Sequence, residues 1–319
     1  MLSLFGVVRV RHLPTFVSVE PANICQLRCP ECPVGRGSGK RKGSDATYMS
    51  MEIFERVLQQ VQATAHTMQF YFQGEPLLHS QLPTMIAKAH RVGLYTIVST
   101  NAQALNSLMA QKLVQSGLNR MIVSIDGFSE NSYSAYRIGG SLERALAGLR
   151  FLHEAKIRYN SSIRIELQVL RLRTNEHEWG WIRRNYKKLG ASHLVLKTAQ
   201  LYDYKHGNPL MPSDSRYSRY KKTSSGEYIP ITQFKIQNSK VLHSHIPCVR
   251  LWSGCVITTV GDVLPCCYDK ECHHSFGNLV HQSMAEVFHG DIANALRYQV
   301  LHPQEESLPK MCRNCDRGL

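Results

Sequence analysis

The chain has 319 residues, of which 43% are hydrophobic and 19% charged, and its formal net charge is +14. This composition is typical of a soluble globular protein, long enough for one large domain and a smaller one. The sequence has no run of about eighteen apolar residues, which excludes an ordinary membrane-spanning helix. The N-terminus lacks the basic region and cleavage site of a signal peptide, so we expect a cytoplasmic protein.

The ten cysteines occur in clustered, short-range spacings. Such spacings suit a reducing compartment and metal binding better than a disulfide framework. The positive charge is compatible with nucleic acid, an acidic redox partner or an anionic substrate. The basic residues are scattered and form no continuous basic helix, so a nucleic-acid-binding metalloprotein stays only a remote alternative.

The first cysteine group follows a short apolar run, Phe16–Val19, which predicts a strand. Cys25, Cys29 and Cys32 lie within eight residues after it. Three thiolates leave a four-ligand shell incomplete, so one iron of a [4Fe–4S] cluster would stay open to a small molecule. The alternatives are three structural cysteines or part of a zinc site, although zinc sites usually present paired cysteine or histidine units.

A glycine-rich basic loop, residues 35–43, comes next. A solvated connection is the favoured interpretation of such a charge run. The alternative is a mobile flap beside the cysteines that attracts anionic groups.

Helix and strand patterns then alternate regularly. The spacing of apolar residues from Met51 to Ala65 predicts an amphipathic helix capped by Ser50. The patterns predict further helices over 82–92, 105–116, 142–156 and 176–189, and strands over 68–72, 94–99, 121–125, 163–170 and 193–197. With the first strand, this alternation predicts an α/β fold, a partial (β/α)6 TIM-like barrel with right-handed crossovers.

Polar motifs follow the predicted strands at their carboxyl ends. In a barrel of this kind the chemistry lies at that end. We therefore expect one mouth to be ringed by residues spread along the chain: the cysteine loop, Gly74-Glu75-Pro76, Thr100-Asn101, Ser124, Asp126 and Gln168.

The remainder of the chain loses this periodicity. Residues 202–245 are polar and rich in Ser, Tyr and Lys, which predicts a connection with some local structure. Residues 256–264 predict a β-hairpin turning at Gly261-Asp262, and 283–301 predict one amphipathic helix with five inward residues, Met284, Val287, Phe288, Ile292 and Leu296. The expected division is 1–205 for the barrel, 206–247 for the connection and 248–319 for a small C-terminal domain.

The motifs together resemble the radical SAM superfamily with a C-terminal SPASM/twitch-type iron–sulfur domain. The first half of the resemblance rests on the Cys-x3-Cys-x2-Cys triplet, Gly74-Glu75-Pro76, Ser99-Thr100-Asn101 and Ser124-Ile125-Asp126-Gly127. The second half rests on the run after Cys248, on residues 261–269 with Pro265-Cys266-Cys267, on Phe276-Gly277-Asn278-Leu279 and on Cys312-Arg313-Asn314-Cys315.

The resemblance implies roles for individual residues. Cys25, Cys29 and Cys32 would hold the cluster that binds S-adenosylmethionine (SAM). Gly74, Glu75 and Pro76 would contact the methionyl amine, and Thr100, Asn101 and Ser124 the ribose or carboxylate. One departure is Glu31, because the superfamily often has an aromatic residue before the third cysteine.

For an auxiliary cluster the resemblance implies a full four-ligand shell, made by Cys248, Cys266, Cys312 and Cys315. Cys267 could replace Cys266, since adjacent strand residues point to opposite faces. We interpret Cys255 and Cys272 as buried or free thiols. The final Cys-x2-Cys has no further cysteines around it, so the twitch-like pattern with one auxiliary cluster fits better than the longer SPASM pattern.

The implied chemistry is reductive cleavage of SAM to a 5′-deoxyadenosyl radical that abstracts hydrogen from a substrate, with the auxiliary cluster accepting an electron in a two-electron oxidation. The implied reductant is a flavodoxin or ferredoxin. The substrate is either a small molecule or a peptide or protein side chain. About twenty-four residues precede Cys25, so a peptide would be presented by a separate recognition protein.

Overall fold

A computed structural model describes residues 7–37, 46–231, 248–302 and 308–315. The first six strands are β1 (Phe16–Val19), β2 (Thr67–Phe70), β3 (Tyr95–Thr100), β4 (Arg120–Ser124), β5 (Arg164–Arg171) and β6 (His193–Thr198). The later strands are β7 (Tyr220–Lys222), β8 (Tyr228–Pro230), β9 (Gly254–Ile257), β10 (Asp262–Leu264) and β11 (Gly277–Asn278).

The helices of the barrel region are α1 (Met51–Val61), α2 (Leu82–Arg91), α3 (Ser107–Gln115), α4 (Glu130–Ser134), α5 (Leu142–Arg158) and α6 (Trp179–Asn185). The C-terminal helices are α7 (Val249–Ser253), α8 (Met284–His289), α9 (Asp291–Leu301) and α10 (Lys310–Arg313).

The main sheet has nine strands in the order β11-β10-β9-β1-β2-β3-β4-β5-β6. Strands β1 to β6 pair in sequence order, and every pair among them is parallel. Each parallel step needs a crossover, and the helices between these strands provide it. The prediction of an α/β fold built on six parallel strands, a partial (β/α)6 barrel, is confirmed.

Helix α1 shows how the sequence directs this packing. Its apolar residues recur every three or four positions, so one face, with Phe54, Val57, Leu58 and Val61, is buried against the sheet. The Ser50 side chain accepts a hydrogen bond from the Ile53 N–H at 3.2 Å, which satisfies an unpaired donor of the first turn.

The C-terminal hairpin is part of the main sheet. Strands β9 and β10 pair antiparallel, as the sequence predicts, and Gly261 lies in the turn between them with φ +90°. In addition, β9 pairs parallel with β1, with Gly254 opposite Phe16. The second cysteine group is therefore fixed directly beside the strand that leads into the first.

Two predicted helices differ in the structure. The segment predicted as one helix over 176–189 is a 3₁₀ helix, Arg173–Glu178, followed by the short α6. The helix predicted over 283–301 is divided into α8 and α9 at Gly290, which has an extended backbone with ψ 167°. The break rotates the second half, so Ile292, predicted to face inward, is 60% exposed and that prediction is wrong.

The connecting segment contains a small hairpin, β7–β8, before the described residues end at 231. The Tyr220 hydroxyl lies 3.1 Å from the Leu201 carbonyl oxygen and 3.0 Å from the Asn314 side-chain oxygen, and its one proton can be donated to either. This hairpin thus links the end of the barrel to the last cysteine pair. Residues 38–43 of the basic loop and residues 232–247 of the connection lie outside the described residues.

Within the described residues, no helix is both long and apolar enough to cross a membrane.

The β1–β9 pairing generates a stability prediction. A Cβ at Gly254 would lie 2.9 Å from the Phe16 carbonyl oxygen, so Gly254→Ala forces the two strands apart. We expect a loss of about 1–3 kcal/mol, the usual cost of overpacking. Gly180→Ala is the matched control, because its Cβ would meet only the Arg184 guanidinium beyond 3.6 Å. Denaturant unfolding of both variants checks this, and equal stability of the two would contradict the role of the pairing.

Candidate functional site

The first cysteine group forms a tight loop after β1. Cys29 is buried and Cys25 and Cys32 are half-buried. The Cys32 N–H donates to the Cys29 carbonyl at 3.2 Å, and the Leu27 N–H donates to the Cys25 Sγ at 3.4 Å. Burial raises the pKa of Cys25 to about 11, and the nearby Glu75, Cys29 and Cys32 add to this effect. Binding of iron by Cys25 must therefore displace its proton, because the thiolate is the form that binds metal.

Two glycines let neighbouring backbone approach this loop. A Cβ at Gly74 would overlap the carbonyl oxygen of Ala22, and a Cβ at Gly35 would lie 2.5 Å from the carbonyl oxygen of Cys29. The Glu75 N–H donates to the Ile24 carbonyl at 2.8 Å. The Gly74-Glu75 step therefore lies directly against the start of the cysteine loop, as predicted.

Glu75 is buried at the mouth and accepts several hydrogen bonds. Its carboxylate is 2% exposed and accepts hydrogen bonds from the Leu77 N–H at 3.0 Å, the Thr100 hydroxyl at 2.7 Å and the Asn101 N–H at 2.8 Å. Burial raises the pKa of Glu75, and these hydrogen bonds counteract the rise. The described residues thus take three of the four acceptor positions of the carboxylate.

Asn101 connects Glu75 to the cysteine loop. Its side-chain amide donates to the Cys25 Sγ at 3.4 Å, and its side-chain oxygen accepts from the Gln26 amide at 3.2 Å. The chain turns sharply just after it, since Ala102 has φ +62° and donates its N–H to the Thr100 hydroxyl at 2.9 Å.

The other predicted residues of the mouth occupy the expected edge. Pro76 begins a buried 3₁₀ turn directly after Glu75. Ser124 pairs in register with Gln168 of β5, and the Gln168 amide donates to its hydroxyl at 3.5 Å. The structure therefore assembles the predicted strand-end residues around one mouth, as parallel strands require.

The sequence analysis missed Arg137. Its guanidinium forms a buried ion pair with Asp126 at 2.6 Å and lies beside Cys29, whose pKa it lowers against the larger effect of burial. Burial works to lower the pKa of Arg137, but Asp126 and Cys29 outweigh it, so the arginine stays charged. The sequence signal for this pair was weak. Asp126 follows a predicted strand, and Arg137 lies two residues before Gly139-Gly140.

Glu31, the residue that departs from the superfamily pattern, has a structural role. Its carboxylate accepts from the Tyr202 N–H at 2.6 Å and from the Asn208 amide at 3.3 Å. These bonds fix the segment that follows β6 over the cysteine loop. The Tyr202 ring lies between two cations, with Arg36 and Lys270 each 4.9 Å from its centroid.

The second cysteine group also comes together. Burial raises the pKa of Cys266 well above its usual value, and Cys267, Cys248 and Cys312 are near enough to raise it further. Burial likewise raises the pKa of Cys312 to about 12, with contributions from Cys248 and Cys315. The four thiols assigned to an auxiliary cluster are therefore neighbours although they span 68 positions of the sequence.

The other three cysteines have different surroundings. Cys255 is fully buried in β9 within the hydrophobic core, and burial alone raises its pKa to about 12. Cys267 is exposed, and the Arg250 guanidinium donates to its Sγ at 2.9 Å. Cys272 is half-buried, with φ +56°. This arrangement favours Cys266 over Cys267 as the auxiliary ligand.

The donor chemistry fits clusters better than single ions. Within the described ranges, no three His, Cys, Asp or Glu side chains are arranged to hold one metal ion. In a [4Fe–4S] cluster each thiolate binds a different iron, so the ligands lie farther apart than around a single ion. Three thiols on a glycine-supported loop and a second group of four neighbouring thiols are consistent with that requirement.

Sequence profiles of known families match both regions. Residues 19–165 match the Radical SAM superfamily, and residues 248–316 match SPASM, an iron–sulfur cluster-binding domain. The chain is a radical SAM enzyme with a C-terminal SPASM domain. These domains imply [4Fe–4S] clusters and SAM as cofactors, and the residues described above fit them.

Among curated relatives, the PqqA peptide cyclase of Rhizobium meliloti is 26% identical over 95% of this chain and 80% of its own length. Among solved structures, SuiB of Streptococcus suis bound to the precursor peptide SuiA has a TM-score of 0.65, with 12% identity, 96% coverage of this chain and 76% of that one. BtrN in complex with AdoMet and 2-DOIA has a TM-score of 0.55, 16% identity and coverage of 96% and 94%. The structural similarities show the shared fold.

Glu75→Gln tests the centre of the mouth. In the variant, the glutamine NH₂ group would face groups that are themselves donors, the Leu77 and Asn101 N–H groups and the Thr100 hydroxyl. At least one buried hydrogen bond is therefore lost, which lowers stability by roughly 1–3 kcal/mol. We expect SAM affinity to fall roughly tenfold or more while iron content stays unchanged, because Glu75 binds no iron. Equilibrium binding of SAM to the reconstituted protein measures the effect, with the exposed Glu143→Gln as control. Unchanged affinity in Glu75→Gln would remove Glu75 from the site.

The auxiliary ligands can be tested separately. The reconstituted protein should contain about eight iron atoms, four per cubane. Cys266→Ser should lower the count to about four, because a cubane lacking a ligand is lost, whereas Cys267→Ser should keep about eight. Iron analysis and electron paramagnetic resonance of both variants measure this, and the reverse pattern would assign the ligand to Cys267.

Proposed function

We propose that this enzyme oxidises or otherwise modifies a side chain of a peptide or protein through SAM-derived radical chemistry. The observation that carries the proposal is the similarity over 95% of the chain to peptide cyclases, together with two neighbouring thiol groups on one fold. Oxidation of a small molecule is the second candidate function. It is supported by the fold similarity to BtrN, because the match extends over 94% of the BtrN chain.

Cys25, Cys29 and Cys32 would hold the first cluster, which would supply the electron for cleavage of SAM and so for removal of hydrogen from the substrate. The residues of the chain hold and orient the reactants. Glu75 fixes the Gly74-Glu75-Pro76 turn and offers its fourth acceptor position to the methionyl amine. Thr100, Asn101 and Ser124 lie on the same rim for the ribose or carboxylate.

Arg137 has a positioning role in this proposal. It lies beside Cys29 and is held by Asp126, so it stabilises the thiolate form of that ligand. Asn101 acts similarly on Cys25 through its amide. Hydrogen bonds to cluster sulfurs raise the reduction potential, so both residues favour electron entry.

The second cluster, held by Cys248, Cys266, Cys312 and Cys315, would supply an acceptor for the electron left on the substrate. Its closeness to the mouth supports this role, because the loop after Cys266 is bound to the rim of the barrel: the Gln73 amide donates to the Lys270 carbonyl at 2.6 Å. A flavodoxin or ferredoxin is the proposed reductant, and the charge of +14 suits an acidic partner.

The decisive experiment compares the wild type with the Cys312→Ala/Cys315→Ala variant. Each is reconstituted anaerobically and incubated with SAM, dithionite and the peptide fraction of a cell extract. The wild type should release 5′-deoxyadenosine and yield a peptide that is two hydrogen atoms lighter, read by mass spectrometry. The variant should still release 5′-deoxyadenosine, but the ratio of product to 5′-deoxyadenosine should fall strongly.

Circular dichroism and SAM affinity provide the control for folding. A well-folded variant with the wild-type ratio would refute the electron-acceptor role. Absence of any modified peptide, with an oxidised small molecule in the same extract, would favour the second candidate.

A further inference from the structure

The two edges of the main sheet differ. One edge is β11, which has only two residues, and the Gln282 side chain accepts the Asn278 N–H there at 3.0 Å. The other edge is β6, which has six residues and pairs only with β5 within the described ranges. Unpaired backbone groups at a sheet edge readily bind another strand, and proteins usually protect them by shortening or covering the edge. The edge that can accept a further strand is therefore β6.

The register shows which backbone groups of β6 face outward. The Gln168 carbonyl of β5 accepts the N–H of the residue just after β4 at 3.0 Å, so Gln168 directs its backbone groups towards β4. Its neighbours Leu167 and Val169 direct theirs towards β6, since successive residues of a strand alternate. Each of them bonds the two residues that flank its partner in β6. The partners themselves, Leu194 and Leu196, therefore face away from β5.

The outward groups of β6 are complementary to a peptide backbone. The side chains of Leu194 and Leu196 pack against the main hydrophobic core, so their backbone N–H and C=O groups form the outer edge. In the part of the chain that the structure describes, these groups have no hydrogen-bond partner. A regular row of donors and acceptors matches an extended peptide, which has the same row, better than a small cyclic molecule.

A cavity of about 340 Å³ begins two residues beyond the end of β6. Residues 200–205 form one wall, and residues 268–271 of the loop after Cys267 form another. Met311 and Asn314, beside the last cysteine pair, form the third. Acidic and basic side chains both line the cavity: Asp203, Glu271, Lys205 and Lys310. This mixed lining suits a polar peptide better than an apolar ligand.

The edge of β6 leads to this cavity. At roughly 3.3 Å per residue, about seven residues of a strand paired along β6 would extend from Leu194 to the first residue of the cavity wall. That wall contacts both thiol groups. The Tyr202 N–H donates at 2.6 Å to Glu31 of the first cysteine loop, and the Leu201 carbonyl accepts the amide of Asn314 at 2.9 Å.

We propose that the substrate peptide binds as an added strand along the outer edge of β6 and continues into this cavity. The inference rests on the proposed peptide substrate and specifies how the enzyme recognises it. Main-chain hydrogen bonds to Leu194 and Leu196 supply affinity for an extended segment, and the side chains that enter the cavity supply selectivity.

The test measures binding without turnover. The probe is a fluorescent nonapeptide selected from a random pool on the immobilised, reconstituted and SAM-loaded enzyme, with no reductant present. Two versions of this peptide are N-methylated at alternate backbone nitrogens, one at the even and one at the odd positions. Only one set of N–H groups in a paired strand faces β6. One version should therefore lose about tenfold or more in affinity, measured by anisotropy, and the other should bind nearly like the parent peptide.

Leu196→Pro tests the same contact from the side of the enzyme. Proline removes the outward N–H and leaves the ladder with β5 intact, so the parent peptide should bind about fivefold more weakly. Leu196→Val is the matched control, because its side chain has nearly the volume of proline and its N–H remains. It should bind like the wild type. Equal iron content and SAM affinity of the two variants show that both are folded.

Hydrogen exchange of the wild type needs no variant. The amides of Leu194 and Leu196 should exchange rapidly in the free enzyme and slowly with the selected peptide bound. Slow exchange in the free enzyme would overturn the proposal, because another part of the chain would already cover the edge. Protection that increases with enzyme concentration alone would also overturn it, because a second copy would then be the occupant.

The two N-methylated versions decide between pairing and other modes of binding. Equal affinity of both versions would refute strand addition. If peptides are nevertheless modified in the turnover experiment, only the edge site is refuted and the peptide substrate stands. If a small molecule alone is oxidised there, the proposed substrate class and this inference both fail.

Discussion

The mouth of the barrel depends on one buried carboxylate. Glu75 accepts hydrogen bonds from its own turn, through Leu77, and from the end of β3, through Thr100 and Asn101. Its N–H in turn binds the cysteine loop at Ile24. A buried carboxylate is costly unless its oxygens are bonded, so the three donors must stay in place for the charge to be tolerated. This mutual dependence fixes the cysteine loop and the strand ends in one geometry, and Asn101 extends it to the Sγ of Cys25.

The second constraint is the parallel pairing of β9 with β1. The strand that leads to Cys25 and the strand that follows Cys248 run side by side, so the C-terminal segment is anchored to the barrel at its first strand. The last cysteine pair is held by a different contact. The amide of Asn314, which lies between Cys312 and Cys315, donates to the Leu201 carbonyl at 2.9 Å. The C-terminal segment thus contacts both the first strand and the segment after the last strand of the barrel, and its position does not depend on a flexible linker.

The charge beside the first cysteine group is balanced within the protein. The Arg137 guanidinium forms a buried ion pair with Asp126 at 2.6 Å. The same guanidinium lowers the pKa of Cys29 against the larger effect of burial. One aspartate at a strand end thus holds the cation that favours the thiolate form of Cys29.

The sequence by itself determined the elements and the motifs. Apolar periodicity predicted the alternating strands and helices, and the spacing of Cys25, Cys29 and Cys32 indicated the chemistry, because both depend on residues close in sequence. Gly290 shows the limit of periodicity, since the pattern continues through it while the backbone breaks. Only the tertiary structure decided which distant groups meet: β9 beside β1, Arg137 beside Cys29, Cys266 near Cys248 and Cys312, and Lys270 near Cys32. These contacts arise from sheet register and crossover geometry, which couple residues far apart in the chain and leave no local pattern in it.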